Sequence, residues 1–199
     1  MFFPNPNALG IYTTLEEYFR MSSQAYIHRT ELARVAIFVD AANVYKSTKR
    51  NYPAGHINYR KILAKLLGKR TLHSAQFFDV SLEDDSKNAF FEVMHNIGFQ
   101  VITKPLKAHS GGVMKGNCDL DLAIAAVRTA SRIDVAILVG GDGDYIPLVQ
   151  YLHEQGVRVE GASFLRDTDL KLHAMFDSFV DFGSAECADI FTKRENRAS

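Results

Sequence analysis

The chain of 199 residues has no tryptophan, five prolines and only two cysteines. Two thiols, with no Cys-x-x-Cys, exclude a disulfide framework and a cysteine zinc site. Long apolar runs are missing too. Val135–Val139 is five residues, far below the ~18 that suggest a membrane span. The opening MFFPNPNALG has no basic residue ahead of its apolar stretch, so it does not read as a secretory signal. There is no internal repeat and no low-complexity tract. What is present is ordinary for a globular chain: 47% hydrophobic and 23% charged residues, at a length that suits one domain. A soluble protein of a reducing compartment, the cytoplasm, is expected.

Net charge is also missing, with 23 Lys/Arg against 23 Asp/Glu, but the balance is not local. Residues 43–115 carry twelve basic against five acidic side chains, a net +7. Residues 116–199 carry eight against fourteen, a net −6. A basic middle beside an acidic end is the kind of asymmetry that a polyanion site produces, although solvated helix faces produce it as well.

Five short apolar runs read as strands buried on both faces of a parallel sheet: 34–40, Ala75–Val80, Phe99–Thr103, Asp134–Val139 and Val157–Ala162. Helical patterns fall between them at Tyr59–Leu67, Lys87–Asn96, Leu120–Ala130 and Tyr145–Glu154. Gly98 and Gly156 follow two of these as stop signals, and Pro147 sits in the first turn of the last. The alternation predicts a three-layer α/β/α sandwich around a mostly parallel sheet of about five strands, and the expected order is 3-2-1-4-5. Ahead of it, Thr14-x-x-Glu17 is a capping box followed by Leu15, Tyr18, Phe19 and Tyr26 at helical spacing. The chain is thus divided into a helical extension over 1–33, the α/β domain over 34–183 and a polar tail over 184–199. The extension needs a surface to cover, either its own domain or a second subunit, which makes it a candidate homodimer contact.

Chemistry concentrates in aspartates at the carboxyl ends of strands. Asp40 ends the first run, and Asp142 and Asp144 follow the fourth in Gly-Gly-Asp-Gly-Asp-Tyr. In an open parallel sheet the ligand crevice lies at the carboxyl ends where strand order reverses, and the expected order puts strands one and four there. Asp119 and Asp121 open the buried helix. Residues two apart on a helix point about 200° apart, so Asp119 is expected to face the crevice and Asp121 to support it. Several carboxylates in one pocket raise each other's pKa, and a hard divalent ion with oxygen ligands, Mg²⁺ or Mn²⁺, relieves them. Asn43 offers a hydrogen bond to substrate, while Lys46, Lys49, Lys104, Lys107 and Lys115 offer phosphate contacts. Tyr45 and Tyr145 each follow a crevice residue and are candidates to stack on a base. His109 and the Ser110-Gly111-Gly112 loop precede the same helix. Cys118 reads as a small buried residue.

FVDAAN at 38–43, KGNCDLDLA at 115–123 and LVGGDGDYIPLVQYLHEQGVRVEGASF at 138–164 resemble the NYN domain family of the PIN-like nuclease superfamily, most nearly its bacterial LabA-like branch. The stretch from Leu170 to FVDF resembles the family's last helix and strand. The resemblance implies a PIN-like fold, a Mg²⁺/Mn²⁺ site and RNA hydrolysis, with Asp40, Asp119, Asp142 and Asp144 as acidic catalytic ligands. It departs at Ala125, where many members carry Asp, and at Gly141, where many carry Ser before the Gly-Asp-Gly-Asp run. Three functions follow: a metal-dependent ribonuclease on single-stranded or structured RNA, a non-catalytic RNA- or protein-binding regulator, or a nucleotide phosphohydrolase. A dinucleotide site is excluded, because no Gly-x-Gly-x-x-Gly follows the first strand.

Overall fold

Six strands form one sheet in a computed structural model that describes residues 32–53, 55–81, 87–105, 107–108, 114–115 and 118–193. They are β1 (Arg34–Asp40), β2 (Thr71–Ser81), β3 (Gln100–Pro105), β4 (Val135–Val139), β5 (Arg158–Ser163) and β6 (Ser178–Asp181). Their spatial order is 3-2-1-4-5-6, and every pairing is parallel. The expected order stands, with a sixth strand added at the β5 edge. Val35–Val39 of β1 pair one for one with Val135–Val139 of β4.

The apolar content of β1 explains the layering. Val35 to Val39 are fully buried, and alternate side chains point to opposite faces. Val35, Ile37 and Val39 pack with α1 (Ala41–Asn51), α2 (Tyr59–Leu67) and α3 (Asn88–Ile97). Ala36 and Phe38 pack with α4 (Asp119–Thr129), α5 (Ile146–Glu154) and α6 (Leu170–Met175). Gly98 ends α3 at φ 112°, a conformation that only glycine adopts without strain.

Two segments differ from the expectation. No helix was read at α1, because its sequence is mostly polar. Asp40 nonetheless caps it, accepting from the Asn43 amide at 3.0 Å, and Ala41 and Val44 bury its inner face. The polar tail read from residue 184 begins later. Cys187 and Ile190 are buried against the first helical layer, and Phe191–Lys193 pairs antiparallel with Gly55–Ile57. Two apolar anchors and the stacking of Phe191 on Tyr52 outweigh the polar residues around them. The helical extension expected over 1–33 falls, up to residue 31, outside the described residues, as do His109 and Ser110–Gly112. Among the described residues, no helix is long and apolar enough to cross a membrane.

Candidate metal centre

At the carboxyl ends of β1 and β4 the chain departs into opposite layers, β1 into α1 and β4 into α5. The crevice this opens has a volume of about 230 Å³ and is lined by Asp40, Asn43, Lys46, Asp79, Asp119, Asp142 and Asp144. The physical basis is the switch in direction, which leaves the strand ends uncovered.

Asp119 is the first residue of α4, and Asp142 caps the short turn Gly143–Tyr145 that contains Asp144. One carboxylate oxygen from each of these three lies within 4.8 Å of the other two. Oxygens sharing an octahedral ion at about 2.1 Å stand roughly 3 to 4 Å apart, so small side-chain rotations close the set. An all-carboxylate donor set of this spacing fits Mg²⁺ or Mn²⁺. Burial raises the Asp119 pKa, and Asp142 and Asp144 add to the rise. Lys46 opposes it from the rim.

Asp40 lies in the same crevice but outside that group of three. Its Oδ1 caps α1, and its Oδ2 accepts from the Tyr145 hydroxyl at 2.9 Å. Burial is the main cause of its raised pKa, and the Asp119 and Asp142 charges contribute.

Several expected roles change. Tyr145 does not stack on a base: it is 3% exposed, and its hydroxyl lies between Asp40 and, at 3.1 Å, Asp119. Its ring belongs to the core between β1, α4 and α5, where an aromatic in an apolar pattern goes. Asp121 is not brought into the group of three. Its carboxylate meets Lys104 of β3 at 3.0 Å, as the rotation per residue along a helix requires. Lys104 is accordingly drawn to Asp121. Asn43 uses Oδ1 to accept from the Gly141 amide at 3.0 Å, so it clamps the β4 turn to α1. Tyr45 is 62% exposed outside the crevice, with the Lys49 ammonium 5.7 Å from its ring centroid. The Lys115 and Lys107 side chains lie outside the described residues. Cys118 is buried, as expected, and its thiol, pushed up to about 11 by burial, donates to the Asp79 carbonyl at 3.2 Å.

Asp79 was missed. It lies near the carboxyl end of β2, is 7% exposed, and pairs with Lys87 at 2.8 Å. The signal was available, since Phe77-Phe78-Asp79 repeats the pattern of Phe38-Val39-Asp40. The two departures also gain a physical meaning. Ala125 packs against the α4 core. The residue preceding the Gly141–Asp144 run is Gly140, so the serine position is 140 and not 141. A Cβ at Gly140 meets Asp40 at an ordinary 3.4 Å, whereas one at Gly141 meets the Thr168 backbone at 2.8 Å.

Comparison with known proteins agrees with this geometry. The family model described as NYN domain matches residues 34–184, the whole sheet and its helices. The Low amplitude and bright protein LabA of Synechococcus elongatus is 22% identical over 157 residues, covering 75% of this chain and 83% of that protein. The crystal structure of a protein of unknown function from Vibrio parahaemolyticus superposes with a TM-score of 0.73 at 26% identity, covering 81% of this chain and 98% of that one. Sheet order, acidic strand ends and a family match across the whole six-stranded sheet converge, and the chain belongs to the NYN domain family, on its LabA-like branch.

Proposed function

We propose that this protein is a Mg²⁺- or Mn²⁺-dependent ribonuclease of the cytoplasm that hydrolyses phosphodiester bonds in single-stranded or structured RNA. The observation that carries the reading is the convergence of Asp119, Asp142 and Asp144 within 4.8 Å at the strand-order reversal. A divalent ion held there would orient a phosphate and supply the activation of water that hydrolysis needs. Asp40 stands beside the cluster and holds the Tyr145 hydroxyl against it. Lys46, exposed on α1 and lining the crevice, would supply a phosphate contact. Asn43 keeps its amide NH₂ for a substrate oxygen while Oδ1 fixes the β4 turn. Tyr45, exposed on α1 with Lys49 over its ring, would offer a stacking surface for a base. The test is cleavage of a labelled RNA with Mn²⁺. Asp142→Asn is expected to abolish cleavage while circular dichroism keeps the wild-type spectrum. Wild-type turnover in that variant would remove the mechanism.

A second reading, a binding module without turnover, is favoured by Asp40, whose two oxygens are engaged by Asn43 and Tyr145 rather than joined to the group of three. Saturable Mg²⁺-dependent RNA binding with no product would select it. Self-association through the N-terminal segment is a further proposal, and a solution mass of one chain would remove it.

A further inference from the structure

The geometry points to Tyr145 as a positioning residue for the cation site, an inference that rests on the metal reading above. Three observations meet on this one side chain. Its ring is buried among the side chains of the second layer. Its hydroxyl lies 2.9 Å from Asp40 and 3.1 Å from Asp119. Its backbone closes the turn that Asp142 caps and that contains Asp144. The phenol therefore ties together the end of β1, the start of α4 and the turn after β4, the segments that supply all four carboxylates.

Core packing explains the ring but not the hydroxyl. Phenylalanine would fill the same space but leave the buried Asp40 Oδ2 without its hydroxyl donor. A phenol donates one proton, so it holds one of its two carboxylates at a time and keeps both turned toward it. Asp119 stands on the first turn of α4, where the cap residue Cys118 makes no side-chain capping bond. Without the phenol, its carboxylate loses a donor that holds it beside Asp142 and Asp144. Groups that orient a metal ligand in this way typically contribute 10–100-fold to affinity.

The experiment is a Mn²⁺ titration of the full chain followed by electron paramagnetic resonance, with wild type beside Tyr145→Phe. The variant is expected to bind about tenfold to a hundredfold more weakly, beyond whatever small drop in unfolding temperature in chelator the lost hydrogen bond to Asp40 causes. A merely structural hydroxyl would lower the unfolding temperature and leave Mn²⁺ affinity unchanged. Equal affinity in the two proteins overturns the role of Tyr145 and leaves the metal reading intact. No Mn²⁺ binding by wild type overturns both. A second measurement needs no variant: the Tyr145 Cζ resonance of ¹³C-tyrosine-labelled protein should shift on adding Mg²⁺. A resonance that stays in place at saturating Mg²⁺ also overturns the proposal.

Discussion

The two ends of β1 hold carboxylates under opposite conditions. At the amino end, Arg34 meets Asp134 with Nε and Nη2 at 3.0 and 2.9 Å, and the Arg34 amide adds a third bond at 2.8 Å. Those bonds hold the Asp134 carboxyl below the usual range. At the carboxyl end, Asp40 and Asp119 are driven above it, by burial first and by neighbouring carboxylates second. Strand geometry is the same at both ends, so the difference lies in who the neighbours are. One aspartate is paired by a guanidinium and staples two strands. The others are gathered in a hollow where the Asn43 amide, the Tyr145 hydroxyl and, at the rim, Lys46 offset only part of the rise. A stapled pair stabilises the fold. A gathered set costs stability and makes a cation site, as functional positions often do.

The contrast breaks most decisively at the carboxyl end. Asp142→Asn is expected to abolish Mn²⁺-dependent RNA cleavage, and Asp119→Asn to lower it by about a hundredfold to a thousandfold, as loss of a principal electrostatic group does. A time course on labelled RNA measures it. Next in size is stabilisation by the ion. Wild type should gain about 2.7 kcal/mol when Mn²⁺ reaches a hundred times its dissociation constant, and Asp142→Asn should gain far less, by thermal melts with and without chelator.

The pH dependence of stability should run in opposite directions at the two ends. A carboxylate whose folded pKa is raised costs stability once pH passes that value, and the cost vanishes below the unfolded value of 3.8. Asp40→Asn removes the cost, and asparagine still caps α1. In chelator the variant should be more stable than wild type at neutral pH, with the two curves meeting as the solution is acidified. Asp134 has the lowered value, so its contribution is present above 3.8 and is lost as pH falls through the folded value. Arg34→Ala should therefore be slightly less stable at neutral pH and match wild type in acid. This last effect is the smallest, because both partners are about half exposed and water screens the pair. Urea melts across the pH range test both, and parallel curves for Asp40→Asn would erase the contrast.

Asp40, Asp119, Asp142 and Asp144 were legible because each breaks an apolar run or opens a buried helix, where a charge needs a reason. Asp79 obeys the same rule and was passed over, because its run was read as ending one residue later, at Val80. Tyr145 carried the opposite disguise, since an aromatic beside an aspartate suggests a stacking surface until its ring is seen in the core. Helix α1 was hidden by its polar outer face, and residues 185–193 by theirs.

Local sequence was enough for five of the six strands and for the acidic residues at their carboxyl ends. Those follow from burial and periodicity, which each segment carries within itself. Which carboxylates converge, which one Lys104 takes away and which hydroxyl stands between two of them depended on the folded chain. Such relations join residues as distant as Asp40 and Tyr145, and a contact between two side chains is a property of neither stretch alone.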